Sequence, residues 1–252
     1  MALPVFNSIG IDNDFEEIMA ELYETIYTRR DVRSEFVKKS VPDSILARVL
    51  CAAHHAPSVG LSQPWRFLVI DDQETKRNAH ALFEEANAQA VELFSQEKRT
   101  LYSSLKLEGI LDAPLNICIT CDRRKRQPIL GSTHQLDTDL YSTACAVQNF
   151  WLAAKAEQLG VGWVSVMNEN AISQLLGLPD NVVPVAYLCL GYVSQFQETP
   201  DLIRAGWSKR EPLSSVVYKN KWLAAVETDL REELNAALEH RDGILSQRLP
   251  SL

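Results

Sequence analysis

Long apolar runs, glycine-rich phosphate loops and cysteine pairs are scarce in this sequence of 252 residues. No run approaches the roughly 20 apolar residues that a membrane-spanning helix needs, so we expect no membrane role. The first residues, MALPVFNSIGIDNDF, carry no basic segment followed by an apolar one. We therefore expect no signal peptide and a cytoplasmic location. Neither G-x-G-x-x-G nor G-x-x-x-x-G-K-S/T occurs, which disfavours Rossmann and P-loop nucleotide sites.

The five cysteines are too few for a disulfide framework in a chain of this length. Cys118 and Cys121 form one C-x-x-C motif, but their context, LNICITCD, predicts a buried strand. Side chains three positions apart on a strand point to opposite faces, so the two sulfurs would not converge on a metal ion. No second pair completes a set of four ligands. We therefore expect core cysteines and no metal site.

The net charge of −8 disfavours general nucleic-acid binding, which requires a basic surface. Positive charge is nevertheless concentrated in two places. Residues 29–39, RRDVRSEFVKK, carry five basic and two acidic side chains. The run Arg123-Arg124-Lys125-Arg126 lies between a predicted strand and a Pro-containing loop, and a solvated loop is its simplest interpretation.

The irregular order of helical and strand patterns predicts an α+β fold rather than a repeating βαβ array. Apolar residues spaced three and four apart predict helices over 14–27, 42–56, 140–159 and 172–178, with one or two more in 74–112. Apolar runs predict strands over 65–72, 113–121, 161–167 and 182–193. Residues 127–139 form a predicted loop, from which Asp139 would cap the next helix. Apolar residues at every fourth position predict an amphipathic helix within 223–249.

Three arginines within five positions, Arg29, Arg30 and Arg33, require an anion to face them. Guanidinium groups match the planar oxygens of phosphate and can bind them in pairs. Surface salt bridges with glutamates of the preceding helix are an equally good explanation, because exposed ion pairs are common.

Two further segments gain meaning only in combination. APSVGLSQPW, residues 56–65, ends a helix at Pro57, offers the hydroxyl of Ser58 and permits close approach at Gly60. GVGWVSVM, residues 160–167, places Ser165 within a predicted apolar strand. A serine in such a strand is usually a hydrogen-bonded core hydroxyl.

Together these segments resemble the nitroreductase-like FMN enzymes. The shared pattern is R-R-x-x-R after the first helix, then A-P-S-x-x-x-x-Q-P-W, G-x-G-W and a late K-R-x-P-L, here residues 209–213. The resemblance spans residues 14–222 and implies a mixed sheet flanked by helices, in an intertwined homodimer with FMN at the subunit interface. Residues 223–252 would then be a C-terminal helical extension.

The resemblance also assigns cofactor contacts residue by residue. The positions matching those that hold the FMN phosphate and ribityl chain are Arg29, Arg30, Arg33 and Arg210. The positions expected to contact the flavin itself, partly across the dimer, are Pro57, Ser58, Leu61 and Val164.

Within this family the sequence is most similar to the 5,6-dimethylbenzimidazole synthases. The matching segments are RRDVR, HHAPSVGLSQPW, SLKLEGI, APLNICITCDR, DLYSTACAVQN, GVGWVSV and YLCLGYV. Ordinary nitroreductases usually carry Ser at the position of Asp31 and Asn at that of Leu61. The resemblance implies that molecular oxygen fragments reduced FMN to the lower ligand of cobalamin. FMN would then be substrate as much as cofactor, with NAD(P)H or a separate flavin reductase as the indirect source of electrons.

Asp31 and Ser165 are the expected catalytic residues. Neighbouring arginines should keep the Asp31 carboxylate ionised, which suits a general base or an orienting group. A purely structural pairing of Asp31 with Arg30 or Arg33 is the alternative. Ser165 matches a family serine near the flavin, where its hydroxyl could relay a proton. Nothing in the sequence selects His134 over an ordinary loop histidine.

Two other functions stay open from the sequence. An NAD(P)H-dependent nitroreductase would recycle FMN and reduce an external substrate. A non-catalytic flavin-binding protein would keep the phosphate arginines and have no need of Asp31 or Ser165.

Overall fold

A computed structural model describes residues 21–123 and 130–246. They form two compact units, Arg29–Trp207 and the chain ends on either side of it. The helix predicted over 14–27 lies partly outside the described residues, and 21–28 is helical (α1). None of the helices in the described ranges is long and apolar enough to cross a membrane.

Most of the predicted elements are present in the larger unit. Its helices are α2 (Asp43–His54), α3 (Gln73–Val91), α4 (Gln96–Ser104), α5 (Thr138–Ala156), α6 (Glu169–Leu175) and α7 (Asp201–Arg204). Its strands are β1 (Trp65–Ile70), β2 (Leu115–Asp122), β3 (Leu159–Val164) and β4 (Val182–Tyr192). In the smaller unit, α8 (Thr228–Ser246) occupies the tail where the four-residue apolar repeat predicts a helix.

The four strands form one sheet in the order β1-β2-β4-β3, and each neighbouring pair is antiparallel. The prediction of a mixed sheet is therefore wrong for these strands. The parallel pairing that the described residues contain is a single bridge between Asp31 and Val161. Segments that contain helices connect these strands, and a connection of that length can join either parallel or antiparallel strands. Apolar runs in the sequence therefore do not determine whether two neighbouring strands are parallel or antiparallel.

Helices cover both faces of the sheet, because β2 and β4 are apolar on both sides. Ile117 and Leu188 pack with α2 and α5 in one core cluster. Cys118 and Tyr187 pack with α3 and α6 in the other. The two cysteines of the C-x-x-C are both buried, as predicted, and burial raises the pKa of Cys118 to about 12 and of Cys121 to about 11. Both therefore stay protonated, inert thiols at neutral pH.

Two boundaries around α5 differ from the prediction. Asp137, not Asp139, occupies the N-cap position, and Asp139 lies in the first turn. At the other end, Gln158 adopts a positive φ of 59° and the chain leaves the helix at Ala156. Strand β3 consequently begins at Leu159 and ends at Val164, earlier than the predicted 161–167.

The segment after α1 lies directly against β3. The backbone N–H of Val32 donates to the carbonyl of Val161 at 3.0 Å. This approach requires glycine, because a Cβ on Gly162 would lie 2.0 Å from the carbonyl oxygen of Val32. A Cβ on Gly160 would lie 2.4 Å from Cγ1 of Val193. The G-x-G of the sequence motif therefore allows the arginine-rich segment to pack beside the sheet.

Gly162→Ala should consequently destabilise the protein by about 3 kcal/mol, because the inserted methyl group collides with backbone that cannot move aside cheaply. Gly177→Ala is the matched control. A Cβ there meets no described atom within 4 Å, so only its positive φ of 63° is unfavourable, at about 1 kcal/mol. Urea denaturation of both variants measures the difference, and equal losses would contradict a tight approach at Gly162.

Candidate active site

Asp31 is held in place by two donors. Its Oδ1 accepts a hydrogen bond of 2.9 Å from the backbone N–H of Trp163, in β3. Its Oδ2 forms an ion pair with Nη2 of Arg33. The ion pair between Asp31 and Arg33, which the sequence analysis gave as the alternative to a catalytic role, is thus present. The sequence does not predict the second donor, the backbone N–H of Trp163. Because both oxygens are fixed, the carboxyl group has a defined orientation.

Burial raises the pKa of Asp31 above its ordinary value of 3.8. The positive charges of Arg33 and Arg29 and the N–H of Trp163 lower it, and the negative charge of Asp201 raises it further. The sequence prediction considered only the neighbouring arginines and expected stabilisation of the ionised form. Desolvation outweighs them, because a buried carboxylate loses its hydration. The result is a more basic carboxylate, better suited to accept and return a proton.

The three arginines of the R-R-x-x-R motif have different surroundings. The guanidinium of Arg29 lies over the ring of Trp151, 4.6 Å from its centroid. Arg30 donates to the backbone carbonyls of Arg29, at 2.9 Å, and of Glu198. Nε of Arg33 is buried and has no hydrogen-bond partner within 21–123 and 130–246.

Salt bridges to Glu16 or Glu17, part of the alternative explanation for these arginines, lie outside the described residues.

A small cavity lies beside Asp31. Its lining includes Arg30, Asp31, Glu35, Gln195, Gln197 and Asp201. Gln197 donates to Glu35 at 3.1 Å and accepts from Arg204 at 3.1 Å, and Arg204 also pairs with Asp201 at 2.6 Å. Sequence reasoning did not single out Glu35, Gln195, Gln197 or Asp201. The last three lie more than 160 positions from Asp31, after β4, and carry no motif of their own.

The loop containing Pro57 and Ser58 is tightly ordered. Oγ of Ser58 accepts a hydrogen bond from the N–H of Gln63 at 3.1 Å, which closes the loop. Gly60, Leu61 and Gln63 all have positive φ angles, of 58°, 52° and 43°. Such angles cost a residue with a side chain roughly 1–2 kcal/mol, and this strain is typical of binding sites. Leu61 is 78% exposed, and Pro57 is exposed beside it.

Ser165 and Val164 lie at the end of β3. Ser165 follows the last residue of the strand and is exposed, so the prediction that it lies within an apolar strand is wrong. The shorter strand explains this, because pairing with β4 stops at Val164 and Tyr187. The Ser165 hydroxyl is accessible as a result. Val164 is 3% exposed and packs in the core.

Arg210, which the resemblance predicts as an FMN contact, and His134, which nothing selects, are both exposed. Arg210 belongs to the smaller unit. His134 lies in the loop before α5.

Comparisons with known proteins agree on one family. A model described as the Nitroreductase family matches residues 26–192. The 5,6-dimethylbenzimidazole synthase of Rhodospirillum rubrum is 41% identical over 73% of this chain and 87% of its own length. The enzyme of the same name from Rhodobacter capsulatus is 36% identical over 76% of this chain and 92% of its own length.

A solved structure shares the fold. Oxidized iodotyrosine deiodinase bound to FMN and 3-iodo-L-tyrosine superposes with a TM-score of 0.63 at 20% identity, covering 80% of this chain and 100% of that one. The match over residues 26–192 and the 41% identity to the Rhodospirillum rubrum enzyme show that the chain is a member of the nitroreductase family.

Proposed function

We propose that this protein is an oxygen-dependent flavin-fragmenting enzyme that converts reduced FMN to 5,6-dimethylbenzimidazole, the lower ligand of cobalamin. Identity of 41% to an enzyme of that name supports the reaction. The observation that carries the proposal is Asp31. It is a carboxyl group oriented by the N–H of Trp163 and by Arg33, with a pKa raised by burial. A protein that merely stored flavin would have no need for such a group.

The arginine cluster fits the phosphate of FMN. Nε of Arg33 is buried without an acceptor in the described parts of the chain, and a phosphate oxygen would supply one. We assign the phosphate and ribityl contacts to Arg29, Arg30 and Arg33. We assign contacts with the flavin ring to Pro57, Ser58, Leu61 and Val164, with the strained loop providing the first three.

Reduced FMN supplies an electron-rich ring system that reacts with molecular oxygen and is consumed in the reaction. The protein must therefore hold it, exclude water and move protons at defined atoms. The Asp31 carboxylate accepts a proton at an oxygen already positioned by β3, and returns it in the protonated form. The exposed Ser165 hydroxyl, at the end of the same strand, donates or relays a proton. We propose that NAD(P)H acts only indirectly, through a separate flavin reductase.

We also propose that the protein is a cytoplasmic homodimer with a C-terminal extension from residue 223. A reducing compartment is compatible with its five free cysteines. Three large apolar side chains around the loop and the start of α5 are exposed in the single chain, Leu61, Leu136 and Tyr141. Exposed apolar side chains grouped in this way are typical of interfaces.

Sedimentation should accordingly show a species of twice the 28.3 kDa chain mass. Leu136→Lys or Tyr141→Lys should shift it towards the monomer and weaken FMN binding, because each subunit completes the site of the other. Leu93→Lys, at an equally exposed leucine after α3, is the control and should change neither property. A wild-type monomer that binds FMN tightly would rule out the shared site.

Replacing Arg29 or Arg30 by Ala should weaken FMN binding. Each change removes a charge-assisted hydrogen bond worth about 1.5–3 kcal/mol, or roughly 10- to 100-fold in Kd. Arg77→Ala, at an exposed arginine on α3, controls for loss of charge alone. Quenching of flavin fluorescence measures the affinity. Unchanged FMN affinity in both variants would mean that Arg29 and Arg30 do not bind the phosphate.

Asp31→Asn should lower 5,6-dimethylbenzimidazole formation about a hundredfold or more, while FMN still binds. Asn keeps an oxygen for the N–H of Trp163 but cannot accept the proton. In the wild type the rate should fall as pH decreases through the raised pKa of Asp31, above 3.8, because the base becomes protonated. This decrease of the rate at low pH should be absent in Asp31→Asn.

Chromatography of reactions containing FMN, a reductant and air provides the measurement. Asp43→Asn, at an exposed position in the first turn of α2, is the matched control. Product formation by Asp31→Asn at the wild-type rate would refute the role of Asp31. A wild-type protein that reduces nitroaromatics with NADPH and never consumes FMN would indicate a nitroreductase instead.

A further inference from the structure

Arg123 is the first residue of the basic run 123–126, for which the sequence favours a solvated loop. In the structure, the Arg123 side chain forms ion pairs with two carboxylates. Its Nη2 lies 2.7 Å from Oδ1 of Asp137, and its Nε lies 3.2 Å from Oδ2 of Asp139. Nη2 also donates to the carbonyl of Leu136 at 3.4 Å. These three acceptors lie at the N-terminal end of α5. One guanidinium therefore holds the start of that helix.

Arg123 is itself fixed to the sheet. It directly follows β2, and its backbone N–H donates to the carbonyl of Asn181 at 2.7 Å. Asn181 also donates to the carboxylate of Asp122 at 3.0 Å. Asp137 occupies the N-cap position but makes no side-chain hydrogen bond to the helix backbone. Its carboxylate faces Arg123 instead, so the ion pair replaces the usual cap.

The start of α5 in turn contacts the strained loop. The buried Ser142 hydroxyl donates to the carbonyl of Thr138 at 2.5 Å and accepts the N–H of Val59 at 3.2 Å. A Cβ on Gly131 would lie 3.1 Å from Cγ1 of Val59, so the segment before α5 packs against the same residue. The hydrogen bond to Ser142 and the packing of Gly131 thus both involve Val59, which follows Ser58 and is the first residue of the 3-10 turn.

We propose that Arg123 is a positioning residue for flavin binding, which acts through Asp137, Asp139 and Ser142 to fix the 57–63 loop in its strained conformation. The inference rests on the proposed function only for the identity of the ligand. The mechanical part, in which an ion pair at the end of β2 orders a loop after α2, stands on the contacts alone. Arg123 itself need not touch FMN.

Hydrogen exchange of the flavin-free protein tests the mechanical part. Arg123→Ala should accelerate exchange in the peptide that contains Val59, about tenfold. Arg48→Ala is the matched control, because Arg48 pairs with Glu157 at 2.7 and 2.8 Å and so anchors the opposite end of α5. It should leave that peptide unchanged. Equal exchange at Val59 in the two variants would overturn the proposal.

FMN affinity tests the functional part. Arg123→Ala should weaken FMN binding about tenfold, and Arg123→Lys should recover part of the loss because its ammonium group can still reach a carboxylate. Ser142→Ala should give a similar loss, and the double variant should lose little more, because both residues act in one chain of contacts. If the losses of FMN affinity in the two single variants were additive in the double variant, the proposal would be overturned.

The two experiments separate this inference from the proposed function. If the wild type binds no FMN, the proposed function fails, and the exchange at Val59 still decides whether Arg123 orders the loop. If Arg123→Ala does not fold, the comparison is made between Arg123→Lys and Arg48→Lys with the same readouts and the same deciding results.

Discussion

The close approach of the 29–33 segment to β3 is the constraint on which the site depends. It exists because Gly160 and Gly162 carry no Cβ, so the backbone of Val32 can bond to Val161. Asp31 is thereby brought to the N–H of Trp163. The same packing lets Trp151 Nε1 donate to the carbonyl of Arg30 at 3.2 Å.

Opposing electrostatic effects act on Asp31, and their balance gives it its chemical character. In water, two neighbouring arginines would make it an ordinary ionised aspartate. At the sheet edge, loss of hydration outweighs their attraction and raises its pKa. Arg33 is the counter-ion of Asp31, and its Nε, which has no hydrogen-bond partner among the described residues, is a donor available to an anion.

Local patterns predicted local features. The apolar runs located β1, β2 and β4, and the spacing of the two cysteines in β2 correctly placed them on opposite faces. The end of α5 depended on a left-handed Gln158, which no residue preference signals. That error displaced β3 and put Ser165 in a strand that ends before it.

Features that join distant parts of the chain could not be predicted from the sequence. The cavity residue Glu35 precedes the sheet in the chain, whereas Gln197 and Asp201 follow β4, so only the folded chain brings them together. The sequence gives no sign that Arg123 pairs with Asp137 and Asp139, because both partners lie in a predicted loop, 127–139. Burial of Asp31, which reverses the direction of its pKa shift, is a property of the packed chain and is invisible in RRDVR.

Titration of the Asp31 carboxyl carbon by NMR tests the central claim most directly. The Asp31→Asn spectrum identifies the signal, and the measurement needs neither flavin nor turnover. The account predicts a midpoint above 3.8, the ordinary value for aspartate. A midpoint at or below 3.8 would mean that the arginines dominate. Asp31 would then be a structural partner of Arg33 and not the acid–base group of the site.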